Sequence, residues 1–284
     1  LTEAVGSEAV AFVPIAQTPD SVAYFDVRGV ATGDEAYEGN IGLGYRQTVG
    51  EVFGEEAVVG GFVFFDVRKS VNQNTYYQGT VGLEFLTDTF EARAMGYLPN
   101  ADRNVIAPGT TRTVVNGTAV QRGTSGALIE QALPGAEGEL GLNFDLTDAI
   151  TIRGTGGYYH FERDLITVGG PKARAAVQFA DPFGLDGATL SLGGEIRDDD
   201  FRDTDASGFV RLSIPIGVDP KPFRSLSART KKLSRYVYRD RDIVVPTVVD
   251  TRTESVEDVI GAAPPPNSAP GTPNAQGQSL DVYH

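Results

Sequence analysis

Tyr37-Glu-Gly-Asn-Ile-Gly-Leu-Gly-Tyr-Arg46 alternates without a break: Tyr37, Gly39, Ile41, Leu43 and Tyr45 share one side, and Glu38, Asn40, Gly42, Gly44 and Arg46 share the other. A period of two is the period of a β-strand. Gly60-Gly-Phe-Val-Phe-Phe-Asp-Val-Arg68, Tyr77-Gln-Gly-Thr-Val-Gly-Leu-Glu-Phe85 and Phe90-Glu-Ala-Arg-Ala-Met-Gly-Tyr-Leu-Pro99 repeat the pattern. Each is apolar on one side and rich in Glu, Asn, Gln, Thr, Arg and Gly on the other. A soluble sandwich would bury the apolar side against a second sheet, whereas a membrane barrel turns it to lipid and keeps the polar side in the lumen. Tyr37, Tyr45, Phe65, Tyr77, Phe85 and Phe90 lie on the apolar side near strand ends, where interfacial girdles sit, and favour the barrel. The many glycines point the same way, by relieving crowding on curved strands.

Residues 24–45 align without gaps on residues 64–85. Phe25/Phe65, Asp26/Asp66, Val27/Val67, Arg28/Arg68, Tyr37/Tyr77, Gly39/Gly79, Gly42/Gly82 and Leu43/Leu83 are identical pairs. The unit is a duplicated hairpin, from which meandering barrels are built.

Composition bounds the function. The 284 residues carry a net charge of −14 and a pI of about 4.6, which excludes a nucleic-acid partner in need of a basic face. There is no cysteine, so thiol chemistry and disulfides are excluded. No run approaches the roughly 18 apolar residues of a membrane helix, so a bilayer can be crossed only by a closed barrel. Leu1 lacks the basic start and apolar core of a signal peptide, and the chain reads as a mature or trimmed protein. His160 and His284 are the two histidines, which supports neither a catalytic triad nor a zinc site. No enzyme, cofactor or metal is expected. Asp198-Asp-Asp-Phe-Arg-Asp-Thr-Asp205 offers hard oxygen ligands for calcium or bridged lipopolysaccharide but lacks the spacing and glycine of a calcium hand, and reads as a solvated loop.

In chain order, residues 1–20 form a periplasmic lead-in rather than a strand, and the barrel occupies 21–217. Its first strands fall at about 21–31, 37–48, 58–69, 76–86 and 89–99. Short turns face the periplasm in such barrels, so the first strand runs outward and both termini lie inside. Between Asn100 and Pro134 the pattern blurs into two irregular strands, or one loop with an Asn116-Gly117 hairpin. Clear strands resume at 136–146, 149–161, 171–180, 187–198 and 207–216. The fold expected is all-β, a transmembrane antiparallel up-and-down barrel of about 12 strands, or 10.

On the polar face Asp26, Arg28, Arg46, Asp66, Arg68, Glu84, Glu91, Arg93, Glu137, Glu139, Arg153, Arg174, Glu195 and Arg197 are expected to line a charged, wet pore. Residues 218–245 form a basic segment in which Leu226, Thr230, Leu233 and Val237 recur at helical spacing. From the residues alone it either threads the pore or lies on anionic headgroups. Residues 246–284 read as a Pro-, Gly- and Ser-rich disordered tail.

Taken together, Gly42-Leu-Gly-Tyr-Arg46, Gly61-Phe-Val-Phe-Phe-Asp-Val67, Gly82-Leu-Glu-Phe85, Ala94-Met-Gly-Tyr-Leu-Pro99, Arg211-Leu-Ser-Ile-Pro215 and Val237-Tyr-Arg-Asp-Arg-Asp-Ile-Val-Val245 resemble the β-domain of inverse autotransporters, the intimin and invasin group. The resemblance covers about residues 20–245. It implies a bacterial outer-membrane translocator and anchor that displays a C-terminal adhesin or invasin passenger, with an extracellular C-terminus. It places Leu226, Arg229, Lys231, Lys232, Leu233, Arg235 and Val237 in the pore as a threading or plugging segment. The partners implied are outer-membrane lipid and lipopolysaccharide, the barrel insertion machinery, periplasmic chaperones and, through a passenger outside these 284 residues, a cell-surface receptor. A diffusion porin or a passenger-less structural barrel is the alternative, and a soluble β-sandwich binding module is a third reading.

Overall fold

The alternation becomes one antiparallel sheet. A computed structural model describes residues 6–32, 36–116, 119–164, 166–199, 201, 203–216, 221–239, 243–250 and 254–259. The first strands are β1 (Gly6–Thr18), β2 (Ser21–Thr32), β3 (Tyr37–Val52), β4 (Glu55–Lys69), β5 (Thr75–Leu86) and β6 (Phe90–Pro99). Four short strands follow, β7 (Arg103–Ala107), β8 (Thr110–Asn116), β9 (Ala119–Ser125) and β10 (Ala127–Gln131). Then come β11 (Gly135–Thr147), β12 (Ile150–Arg163), β13 (Ile166–Ala180), β14 (Thr189–Asp199) and β15 (Asp203–Ser213). The chain continues through helix α1 (Ala228–Leu233) to β16 (Thr247–Asp250) and β17 (Glu254–Val259).

The chain divides into two compact units, Leu1–Asn104 with Glu130–Pro246, and Val105–Ile129 with Thr247–His284. The first holds an eleven-stranded meander in the order β1-β2-β3-β4-β5-β6-β11-β12-β13-β14-β15. Eleven lies between the two expected counts, for two reasons. Gly6–Thr18, read as a lead-in, is strand β1, paired with β2 from Gly6↔Thr32 to Thr18↔Ser21 with a register shift between Pro14 and Ala16. Pro14 breaks the alternation there, as proline does on edge strands and at bulges. The stretch from 100 to 134 adds no strand to this sheet, because β6 pairs directly with β11. The β8–β9 hairpin expected at Asn116 does form, joined by β17 in a three-stranded sheet, while β7, β10 and β16 form another. Within the tail, residues 247–250 and 254–259 are thus strands, and β-branched residues such as Val248 and Val249 of β16 suit one. Its Pro-rich residues 261–280 lie outside the described residues.

In the eleven-stranded sheet the connections at 19–20, 53–54, 87–89, 148–149 and 181–188 mark one end, the turn end, and those at 70–74 and 100–134 mark the other, the loop end. Because β1 descends from the loop end, Gly6 lies opposite the turns, not beside them as expected for the first strand.

Burial is inverted relative to a soluble sheet. Leu43, Val63, Val81 and Leu142 are 45%, 53%, 49% and 46% exposed, while Glu38, Asn40, Asp66, Thr80, Glu84 and Glu139 are buried. Tyr37, Tyr45, Phe65 and Tyr77 also stand outward, and Phe65 stacks on Tyr77 with ring centroids 6.0 Å apart. The inner face is not wholly polar: Tyr24, Phe62, Phe64, Tyr97, Tyr159 and Phe161, from the four strands β2, β4, β6 and β12, meet in one cluster, which requires the sheet to curl on itself. Gly42 and Gly82 make room for it, since a Cβ at either would run into the cross-strand rings of Phe64 and Phe62. The equivalent glycines of the repeat thus flank one aromatic pair on β4.

Replacing Leu43, Val63, Val81 or Leu142 by Arg is expected to cost about 2–4 kcal/mol near mid-membrane. Folding titrations into lipid vesicles measure the loss, and spin labels at the same sites should report lipid while labels at Asn40 and Thr80 do not. Water at Leu43 and lipid at Thr80 would invert the register.

Candidate functional site

Every second residue of these strands aims a side chain into the curled sheet, and the charged ones pair there. Arg28 Nε and Nη2 each reach Asp26 at 2.7 Å, and Arg46 reaches Glu84 at 2.6 and 3.2 Å. Arg93 lies 3.0 Å from Glu91, which also pairs with Arg153. Lys172 joins Glu137 and Glu139, the latter at 2.7 Å, and Arg174 reaches Glu195 at 2.6 Å. Arg197 closes on Glu195. Arg68 points to Glu38 at 3.5 Å rather than to Asp66. All fourteen residues expected on the inner face are thus in ion pairs there, with Arg68 and Arg197 the more exposed. Buried charges persist only with such partners.

A cavity of about 10 Å³ lies beside Glu91, Arg153, Thr155, Arg174, Ala176 and Tyr238, room for one water at most. The described residues of the segment from 223 to 246 run through the same interior. Ser227 caps α1 by accepting the Thr230 N–H at 3.1 Å, and the helix ends at Leu233, short of the span to Val237 that the spacing suggested. At the turn end Arg224 pairs with Asp181 at 2.9 Å, Arg229 with Asp20 and Glu56, and Lys232 with Asp88. Leu226 is half-buried there, and Lys231 stands over the Phe223 ring at 5.2 Å. Further along, Leu233 and Val237 join the inner cluster, Arg235 pairs with Glu91 at 2.8 Å, and Arg239 pairs with Asp66 at 2.7 Å. At the loop end the Ile243 N–H donates to Glu38 at 3.1 Å, and the Leu133 N–H donates to the Val244 carbonyl at 3.0 Å. Asp240, Arg241 and Asp242 of the basic segment lie outside the described residues. The order of residues along the segment is the order of their partners along the barrel axis.

Three partners of this segment escaped the sequence reading. The Tyr236 hydroxyl accepts from Arg28 at 2.9 Å and donates to Glu8 at 3.0 Å. The Tyr238 ring lies between Arg153, Arg93, Arg174 and Arg211, at 4.3, 5.3, 5.3 and 5.1 Å from its centroid. Cation–π attraction is strong in such desolvated places. The signal was present as Tyr236 and Tyr238 two apart in a basic run, but their partners are far away in sequence. Asp181, in the β13–β14 turn, accepts the backbone N–H groups of Gly187, Phe223 and Arg224 at 2.8, 2.6 and 3.2 Å. Burial raises its pKa, but these donors and the Arg224 guanidinium outweigh burial and hold it below its ordinary value. In the acidic loop Asp198 accepts from Thr204 at 2.6 Å, and Asp199 accepts from Tyr159 at 2.6 Å and from the Phe201 N–H at 2.9 Å. Asp200 and Arg202 lie outside the described residues. No group of three or more metal-ligating side chains occurs among the described residues.

Residues 2–125 match the family model described as inverse autotransporter, beta-domain. The match takes in 124 of the 284 residues and likens that stretch to an inverse autotransporter β-domain. The chain is an integral outer-membrane β-barrel and a type V secretion translocator. No curated protein matches the chain. A solved chain reported under "Unveiling the Mechanism Behind the in-meso Crystallization of Membrane Proteins" is similar at 16% identity and a TM-score of 0.59, over 87% of this chain and 95% of that one, a likeness of fold.

The Asp181 anchor of this β-domain should be pH-dependent. Its carboxyl sits below the ordinary 3.8, so the stabilisation it provides is complete above that value and is lost as pH falls through the folded value. A spin label at Ser225 should be immobile at neutral pH and loosen in acid, whereas in Asp181→Asn it should be loose throughout. A label equally immobile in both proteins at every pH would remove Asp181 from that role.

Proposed function

We propose that this translocator exports and displays a C-terminal passenger of adhesin or invasin type, with residues 218–245 as the pore segment and the rest of the tail as the link to the passenger. The inward charges from Asp26 to Arg197 are its pore lining, and Leu226 to Val237 are the part of the exported chain that remains in the bore. The observation that carries this reading is the axial order of contacts, from Arg224 on Asp181 at the turn end, through Arg235 on Glu91, to Ile243 on Glu38 at the loop end. A chain that leaves β15 at the turn end and must reach the other side of the membrane has to take that path. The Pro-rich composition of residues 261–280 suits a link to the passenger. Insertion by the outer-membrane barrel machinery with periplasmic chaperones, contact with lipopolysaccharide, and a receptor for the passenger complete the proposed set of partners. The segment held among the inner-face residues counts against a diffusion porin.

An epitope tag after His284 is expected to be reached by antibody on intact cells. A tag reached only after the outer membrane is permeabilised would rule out export of this tail. In planar bilayers, deleting residues 219–284 should raise single-channel conductance, because it empties the bore. Equal conductance with and without the segment would place it outside the pore.

A further inference from the structure

Two kinds of contact hold the segment in the bore, and they differ in what they read. Arg235 on Glu91 and Arg239 on Asp66 depend on the side chains of the segment. A second set touches only its backbone. Arg46 Nη1 donates to the carbonyls of Leu233, at 2.9 Å, and Arg235, and Arg28 Nη2 donates to the carbonyl of Val237 at 2.8 Å. The carbonyls taken are those of Leu233, at the C-terminal turn of α1, and of Arg235 and Val237 just beyond it. Glu38 adds the complementary contact by accepting the Ile243 N–H at 3.1 Å.

The barrel prepares these donors in advance. Arg46 presents Nε and Nη2 to Glu84, and Arg28 presents Nε and Nη2 to Asp26, so each guanidinium plane is fixed by a carboxylate of the wall. The planar fork leaves further N–H groups aimed into the bore, which a lysine ammonium cannot do while holding the same carboxylate in the same geometry. Leu233 is the last residue of α1, so its carbonyl is one that the helix itself leaves unpaired.

We propose that Arg28, Arg46 and Glu38 form a backbone-reading track, a binding site for polypeptide of arbitrary sequence that successive segments of the exported chain use before Leu233, Arg235, Val237 and Ile243 settle in it. The site takes peptide carbonyls and N–H groups as its ligand, because every passing segment carries them whatever its side chains. This rests on the export reading above.

The test follows the appearance of a tag after His284 at the surface of intact cells over time, in the full chain and in the double variant Arg28→Lys, Arg46→Lys. Each protein is made with two tails of equal length, the native one and one in which residues 261–280 are replaced by Gly-Ser repeats. Heat-modifiable migration shows that the barrel is folded. The track predicts that the double variant slows export by roughly tenfold, the scale of a lost charge-assisted hydrogen bond, and by the same factor for both tails. Unchanged rates in the variant, or a slowing that depends on the tail sequence, would overturn it. Failure of the unmodified chain to export would instead defeat the export reading. If the lysine variant does not fold, Arg46→Gln with Glu84→Gln removes the ion pair as a unit and is held to the same two outcomes.

Discussion

A charge inside a bore that is itself surrounded by lipid must find its partner within the barrel, and that constraint governs the interior. Removing an ion from water costs several kcal/mol unless good geometry repays it. The wall meets the demand mostly with its own residues, as in Asp26 with Arg28 and Arg46 with Glu84. Asp66 is met differently. Among the described residues it has Thr80 at 2.6 Å and Asn40 at 2.9 Å as neutral donors, and its ion pair is with Arg239 of the pore segment. Taking the segment away leaves a buried carboxylate with no cation, so the segment belongs to the fold as well as to the route.

The same constraint shapes how the segment is held. At the turn end its cations meet exposed or half-exposed carboxylates, Asp20, Glu56 and Asp88, where solvent screens each pair and makes it weak. Deeper in, the partners are buried and the aromatic rings of Tyr236 and Tyr238 sit among guanidinium groups. Apart from the Asp181 anchor, the ion pairs therefore strengthen along the axis from the mouth inward.

Strand existence, the outward face and the inward charges were legible because a period of two fixes which side each residue occupies. Leu43 and Glu84 needed no knowledge of their neighbours. Strand β1 was not legible, because Ala9-Val-Ala-Phe-Val-Pro-Ile15 shows no alternation and only Glu8 and Phe12 turn partly inward. The strands between Arg103 and Gln131 were half-legible: the Asn116 hairpin was visible in its turn residues, but nothing local told that β6 would bypass it to pair with β11. Partner choice was the least legible. Tyr238 and Arg153 are 85 positions apart, and no pattern along one strand encodes a contact across the bore.

The duplicated hairpin makes that last point sharply. Asp26/Arg28 and Asp66/Arg68 occupy equivalent positions, so the sequence leads one to expect two equivalent ladders. In the first copy the pair closes on itself at 2.7 Å, and Arg28 keeps donors free for Tyr236 and the Val237 carbonyl. In the second copy Arg68 turns to Glu38, and Asp66 is left to receive Arg239. One copy thus presents a cation to the passing backbone and the other an anion to a passing side chain. The repeat built two identical faces, and the segment between them, polar in both senses, is what makes them different.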